Sequence, residues 1–514
     1  MQTRAALAAL GYEGYMKLLG LYLDGVTPIA RLGGLASPKA TRGGVCRDVS
    51  ERWAEAHSVP SEAIGDAYEA HLARLGVARG LPLTMRPLSP AAAALVAEVV
   101  ATVAPFDAAT RERQRRPAGR LALQKAVGAV VGGLLTAWGH VPPRLSCRSS
   151  FKTAFEAGVV SSRQFFAAVN SMAAAELIDT QKGVRWGNNF GSGMVAFDGR
   201  PACYWPTAAL LAVAERHGLT PDTIGEDFRR EVPTRPPRVT EAVTVNSLKD
   251  RAGGSKKLSV VALGSALAGL RADVEALNDY AGKHAVAGCL PPRFRRGFTE
   301  VAELGGRFYA VGCEAVFQGM SKASRAAITI NGEPIVEVDV EASHLAILHG
   351  LMGLPLPAGD PYDIPGLPRS VVKRFMLEAI GKGAVGRRWS RMASTVSYPP
   401  FAEVSAAVAV RFPWLPSVAD RVAVAAGLTS LEHIGSPKRL LIHRLMRLEA
   451  EAIGLAIVRL RADGVLALPV HDSLIVPRDA VNMAVAAIEL AFAAVAGITP
   501  RAKVGPAPPY HLDS

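Results

Sequence analysis

The stretch LALPVHDSLIVP, residues 466–477, places polar side chains between two short apolar runs. Residues 466–470 and 474–476 have the composition of buried strands, and His471, Asp472 and Ser473 lie between them. Burying a carboxylate is costly unless it is paired, hydrogen-bonded or bound to a metal ion. The stretch therefore predicts a hairpin whose tip carries a functional site.

A second aspartate lies in EPIVEVDVEASHLAIL, residues 333–348, where a strand pattern gives way to helical spacing. If the two strands are neighbours, Asp339 and Asp472 meet at one edge of a sheet. Paired carboxylates provide the hard oxygen ligands that Mg²⁺ prefers, and substrate phosphates can complete its coordination shell. Two such ions suit an in-line phosphoryl transfer.

Between the aspartates, LPRSVVKRFMLEAIGKG, residues 367–383, predicts a basic helix that begins near Pro368. Arg369 and Lys373 are four residues apart and therefore project from the same face. Two such cations suit a triphosphate, which arginine binds through two donors and lysine as a point charge. The alternative is a solvated basic face.

Other basic, amide and aromatic side chains suit contact with a nucleic-acid backbone. As an alternative for residues 305–332, the same aromatic residues would also occur at a packed sheet edge. For residues 439–464, the leucines alone are enough to explain the helical pattern. The candidates in residues 305–332 and 439–464 are Arg307, Tyr309, Gln318, Lys322, Arg325, Arg447 and Glu449.

Length, charge and cysteine content limit the class of protein. The 514 residues predict two to four domains, and the net charge of +13 favours a polyanionic partner such as nucleic acid. Five widely spaced cysteines predict neither a zinc site nor a disulfide framework. The N-terminus lacks a secretion signal, and the apolar stretches 91–106 and 126–138 fall short of a membrane span. We therefore expect a cytoplasmic protein with no membrane partner.

The N-terminal half divides into two predicted regions. Residues 1–145 are alanine-rich and helical in pattern, and residues 146–226 combine a Ser-capped helix with a Gly/Asn-rich hairpin signal. That combination predicts a winged helix whose Arg163 enters a groove of DNA, or else an ordinary helix and hairpin. Residues 227–257 have the composition of a basic linker, and we expect residues 258–514, which contain both aspartates and the basic helix, to form a separate catalytic region.

The order of the C-terminal motifs resembles the polymerase core shared by family A DNA polymerases and phage-type single-subunit RNA polymerases. The resemblance covers roughly residues 300–480 and indicates a compact, mobile-element-like member. It implies an α+β fold, a right-hand core of palm sheet and helical fingers. It further implies that Asp339, the Val340 carbonyl and Asp472 hold two Mg²⁺ ions, with Mn²⁺ as a substitute.

The resemblance also assigns the substrate contacts. Arg369 and Lys373 would bind the incoming triphosphate, and His471 would lie beside the primer terminus. His344 occupies the position that is bulky in the DNA polymerases and glycine in the RNA polymerases, so it favours deoxynucleotides. The chain departs from the family pattern where the fingers helix normally carries an aromatic residue, so either another ring such as Phe375 or Trp389 stacks on the base or fidelity is low.

These observations predict a template-directed DNA polymerase for phage or plasmid replication. Its partners would be a DNA primer-template, nucleoside triphosphates and other replication proteins. Two alternatives remain: a single-subunit RNA polymerase or primase, and a replication initiator that binds DNA without catalysis.

Overall fold

The computed structural model describes residues 78–140, 144–156, 158–183, 201–250, 254–389 and 398–505. The described residues up to Glu231 form one unit, and those from Val232 onward form a second. Both units combine helices with sheets, in agreement with the predicted α+β class.

The described residues of the first unit form six strands and five α-helices. The strands are β1 (Arg79–Gly80), β2 (Met85–Pro87), β3 (Ser146–Arg148), β4 (Ile178–Gln181), β5 (Ala202–Pro206) and β6 (Phe228–Arg230). The helices are α1 (Pro90–Ala109), α2 (Pro117–Trp138), α3 (Ser162–Ala174), α4 (Ala208–Arg216) and α5 (Ile224–Asp227). Four strands form a sheet in the order β1-β3-β5-β4, and β2 pairs with β6. Residues 1–77, which the sequence predicts to be helical, lie outside the described residues.

Helix α3 begins where the sequence predicts. Ser161 and Gln164 form a capping box, in which each side chain accepts a hydrogen bond from the other residue's backbone N–H. Strand β4 follows and pairs antiparallel with β5, so a helix and a hairpin are present. The residues between these strands, 184–200, lie outside the described residues, and the winged helix stays a prediction.

In the part of the chain that the structure describes, three helical segments are long and apolar enough to span a membrane when only length and composition are considered. They are α1, α2 and Arg478–Ala496. The expectation that residues 91–106 and 126–138 are too short is therefore wrong, because the helices continue beyond the apolar runs to 20 and 22 residues. The middle of α2, including Val127, Val130 and Val131, lies in the core of the first unit.

Within the described ranges, the second unit has ten strands and eight α-helices. The strands are β7 (Val243–Asn246), β8 (Lys257–Leu258), β9 (Val286–Ala287), β10 (Phe294–Thr299), β11 (Val301–Ala310), β12 (Thr329–Ile330), β13 (Glu333–Val340), β14 (Leu468–Val470), β15 (Ser473–Pro477) and β16 (Ala502–Val504). The helices are α6 (Ala266–Ala281), α7 (Lys322–Arg325), α8 (Ser343–Leu351), α9 (Arg369–Lys382), α10 (Phe401–Arg411), α11 (Val418–Val422), α12 (Pro437–Ala462) and α13 (Val481–Ala496).

One sheet of the second unit has the strand order β14-β15-β13-β12-β9, and β16 pairs with β13. The other has the order β11-β10-β7-β8. Val338 on β13 lies opposite Leu474 on β15 and both side chains are fully buried, so core packing supports this register.

The segment 227–257 is not a free linker. It contributes β6 to the first unit and β7 to the second, and the division between the units falls inside it. Val243 and Val245 alternate with polar residues and are buried, so the segment forms a strand despite its proline- and arginine-rich surroundings.

Candidate active site

The pairing of β13 with β15 brings the two aspartates together. Asp339 lies directly opposite Ser473, the residue after Asp472. The Val340 N–H donates a hydrogen bond of 3.2 Å to the Asp472 carbonyl. The neighbouring strands expected from the sequence are therefore present, and Asp339 and Asp472 meet where β13 ends and the hairpin turns.

Both turns at this place contain a non-glycine residue in the left-handed region. His471, immediately before Asp472, has φ +57°, and Ala342, three residues after Asp339, has φ +52°. This conformation costs a residue with a Cβ about 1–2 kcal/mol. Strained backbone of this kind concentrates at functional sites, because surrounding packing must maintain it.

Both carboxyl groups are harder to ionise than an exposed aspartate. Burial, and secondarily the charge of Asp472, raises the pKa of Asp339 to about 6, while Lys322 and Lys373 act in the opposite direction. Burial, followed by the charge of Glu449, also raises the pKa of Asp472. Neither aspartate forms an ion pair within the described ranges. The negative charge at this edge of the sheet is thus incompletely neutralised.

This arrangement fits divalent cations. In an antiparallel pair, the N–H and C=O of one residue face the same neighbouring strand, so the Val340 carbonyl faces the hairpin with Asp472. Two carboxylates and one carbonyl are hard oxygen donors of the kind Mg²⁺ binds. The part of the chain that the structure describes has no cluster of three or more His, Cys, Asp or Glu side chains able to hold a metal. A complete shell would therefore need oxygens from the substrate or water.

Behind Asp472 lies Glu449, a buried carboxylate on α12 with 1% of its side chain exposed. Arg307 donates to its Oε1 from Nε and Nη2, at 2.8 and 2.6 Å. Ser343 Oγ lies 2.6 Å from Glu449 Oε2 and 3.2 Å from Asp472 Oδ2, and His344 Nε2 lies 3.2 Å from Glu449 Oε2. Glu449 therefore connects Arg307 and His344 to Asp472 through one hydroxyl group.

Burial pushes the pKa of Glu449 upward, but the contacts with His344, Arg307 and Ser343 outweigh it. The pKa is held at about 2. The sequence assigns Glu449 only weakly, although one signal was present: this acid lies on the apolar face of its helix, beside Leu445 and Ile453. Ser343 was not identified from the sequence at all.

Arg369 and Lys373 lie on α9, and the cationic ends of both lie near one aromatic ring. The Arg369 guanidinium is 5.3 Å from the centre of the Tyr362 ring, and the Lys373 Nζ is 5.9 Å from it. Asp360 also forms an ion pair with Arg369, whose side chain remains 54% exposed. The predicted spacing thus places both cations together, and Lys373 acts electrostatically on Asp339. Sequence reasoning missed Asp360 and Tyr362, because they lie in an irregular loop.

Several residues predicted to contact nucleic acid have structural partners. The Gln318 amide donates to the carbonyls of Phe308 and Pro469, at 3.0 and 2.7 Å, and accepts from the Ala310 N–H. Arg325 is buried and forms a bidentate ion pair with Glu337. Residue type alone could not distinguish these roles from contact with DNA.

The remaining predicted contacts differ in exposure. Tyr309 is 40% exposed on β11, and Lys322 is exposed on α7. Arg447 donates to the Ala302 carbonyl at 2.9 Å and pairs with Glu451. Arg163 is exposed at the start of α3, in the first unit.

The expected substitutes for the missing fingers aromatic do not both have an accessible ring. Phe375 is only 2% exposed and packs against Phe401 and Trp389, with ring centroids 5.2 and 6.0 Å away. The expectation that Phe375 stacks on a base is therefore wrong, because its ring forms part of the core. Trp389 is partly buried and donates to the Pro399 carbonyl.

The structure has similarities to solved protein structures. The structure is similar to that of the POL domain of Pol1 from M. smegmatis, in complex with DNA primer-template and dNTP. The identity is 16%, the TM-score is 0.31, and the match covers 46% of this chain and 50% of that chain, so it spans about half of the length of that polymerase. No family model and no curated protein matches the sequence.

Proposed function

We propose that the chain is a template-directed nucleotidyltransferase, a DNA polymerase that uses two Mg²⁺ ions. The observation that supports the proposal most directly is the meeting of Asp339 and Asp472, from two neighbouring strands, without a cationic side chain paired to either within the described ranges. Such a concentration of charge destabilises the folded chain unless a cation occupies it.

The residues around the aspartates would divide the work of the reaction. Asp339, Asp472 and the Val340 carbonyl would hold the two ions. When bound, Mg²⁺ supplies activation of the primer 3′-hydroxyl and neutralisation of the pyrophosphate. Arg369 and Lys373 would bind and orient the triphosphate, because their exposed cationic ends lie together over Tyr362.

The other contacts would position the nucleic acid. His471, at the turn beside Asp472, would lie next to the primer terminus. The exposed Lys322 and Tyr309 would contact the primer-template. In the first unit, Arg163 at the exposed start of α3 would contact duplex DNA.

The choice of sugar would depend on His344. Its imidazole contacts Glu449 at 3.2 Å and Arg307 at 3.4 Å, so its position is fixed. A fixed, bulky side chain would crowd a 2′-hydroxyl, and the proposal therefore specifies deoxynucleotides. His344→Gly should increase ribonucleotide incorporation relative to deoxynucleotide incorporation on the same primed template.

Primer extension with each nucleotide type, with and without primer, tests the proposal. Asp339→Asn and Asp472→Asn should each abolish Mg²⁺-dependent extension, whereas Asp420→Asn should keep it, because Asp420 is an exposed acid on α11. Full extension by both site variants would refute the proposal. Wild-type incorporation of ribonucleotides alone would indicate an RNA polymerase or primase. Salt-sensitive DNA binding without extension would indicate a replication initiator.

A further inference from the structure

Arg296 on β10 is a buried cation that the proposed reaction does not use. Only 4% of the residue is exposed. Its Nε donates to the Gly306 carbonyl at 2.8 Å, and its guanidinium lies 4.7 Å from the Phe308 ring centre and 5.3 Å from that of Phe298. Its Nη2 is buried and has no hydrogen-bond partner among the described residues.

This arrangement is costly for an apo protein. Burial, and then the charge of Arg447, lowers the pKa of Arg296 to about 10. A buried donor without an acceptor loses its hydration without replacement, and native structures rarely retain such a group unless a ligand or water satisfies it. The Arg296 Nη2 therefore has a donor available for a hydrogen-bond acceptor that does not belong to the chain.

Arg296 lines a cavity of about 270 Å³. Its charged lining comprises three arginines and two acids, so the lining carries one net positive charge: Arg296, Arg447, Arg461, Asp273 and Glu451. The other walls are mainly apolar and come largely from α6 and α12, with the Phe308 ring between them. The volume is near the lower end of small-molecule sites.

We propose that this cavity binds a small organic anion with an apolar or aromatic body and a carboxylate or phosphate-monoester head. The head accepts a hydrogen bond from Arg296, which satisfies the free Nη2. The body contacts Phe308 and the apolar walls. This inference does not rest on the proposed polymerase activity, because none of the residues assigned to metal or triphosphate binding lines the cavity.

Isothermal titration of the full chain with phenyl phosphate and benzoate tests the inference. Inorganic phosphate and benzyl alcohol serve as probes that lack the body or the charge. At least one aromatic anion should bind about tenfold or more tightly than either control probe, because inorganic phosphate lacks the apolar body and benzyl alcohol lacks the charged head. The stronger of the two anions identifies the head group. Absence of saturable binding by both would overturn the inference and would leave water as the acceptor.

Two variants locate the binding. Arg296→Met should weaken the anion by about tenfold or more through loss of the charged hydrogen bond. Gly454→Leu should weaken it similarly by filling the cavity, and a Cβ at Gly454 meets Phe308 only at an ordinary 3.5 Å. Gly454→Leu keeps every charge, so it decides the question if Arg296→Met does not fold. Lys373→Ala should bind as the wild type does. Unchanged affinity in Gly454→Leu, or loss in Lys373→Ala, would place the anion elsewhere and overturn the inference.

Discussion

Replacement of Glu449 by glutamine tests the buried network behind Asp472. The substitution keeps the shape of the side chain and removes its charge, which leaves Arg307 without its carboxylate. Breaking a buried ion pair by neutralising one partner is strongly destabilising, because the other charge stays desolvated. We therefore expect Glu449→Gln to lower the free energy of unfolding of the second unit.

The pKa of Glu449 gives the size of the effect. The folded chain holds it at about 2, against an ordinary value of 4.5. At about 1.4 kcal/mol for each pKa unit, ionised Glu449 stabilises the folded chain by about 3 kcal/mol at neutral pH. Because the folded pKa is the lower one, this stabilisation is complete above pH 4.5 and is lost as the pH falls toward 2. Relief of the repulsion between Glu449 and Asp472 offsets part of the loss.

Hydrogen exchange of peptides from α12 at pH 7, together with urea unfolding at pH 7 and pH 3, measures this loss. The matched control is Glu451→Gln on the same helix, where the carboxylate is 47% exposed and pairs with Arg447. An exposed pair contributes less than about 1 kcal/mol. Equal losses in the two variants, or a difference that does not shrink at pH 3, would refute the reasoning.

Three further changes test the aspartates and the basic helix. Without metal, Asp339→Asn should melt at a higher temperature than the wild type at pH 7.5 and at the same temperature below pH 4. The reason is that a folded pKa of about 6 makes the ionised carboxylate unfavourable in the folded wild type only above the ordinary aspartate pKa of 3.8. An equal Tm at pH 7.5 contradicts this. Asp360→Asn should lower the KM for the triphosphate about two- to fivefold by releasing Arg369, while Asp363→Asn leaves it unchanged in the same extension assay. Tyr362→Leu should raise that KM about two- to fivefold through loss of the ring beneath both cations, and Tyr362→Phe should not; equal effects would exclude the ring contact.

Local patterns predicted the parts of the site that lie on regular elements. Apolar runs and the change from strand to helical spacing located the strands that flank Asp472 and the strand that carries Asp339, and helical spacing placed Arg369 and Lys373 together. The same patterns could not place Tyr362, because it lies in a loop whose sequence has neither helical nor strand periodicity.

Residue type predicted the hydrogen-bond partners of side chains less well than periodicity predicted the strands and helices. Gln318 has the amide expected of a DNA contact, yet both ends of that amide bind backbone groups of the same unit. Such bonds join segments far apart in the sequence, and no local window contains both partners. The strand β7 was missed for a related reason, since its burial depends on β10 beside it.

Strand β13 is hydrogen-bonded along both edges where it carries Asp339, to β15 on one side and to β16 on the other. Moving the main chain of Asp339 would require its hydrogen bonds to β15 and to β16 to break at the same time, so this main chain is held in place. Asp472 instead follows the left-handed turn at His471, outside the paired residues of β14 and β15. Any change in the spacing between the two carboxylates would therefore have to come from the hairpin turn at residues 471–472 and not from β13.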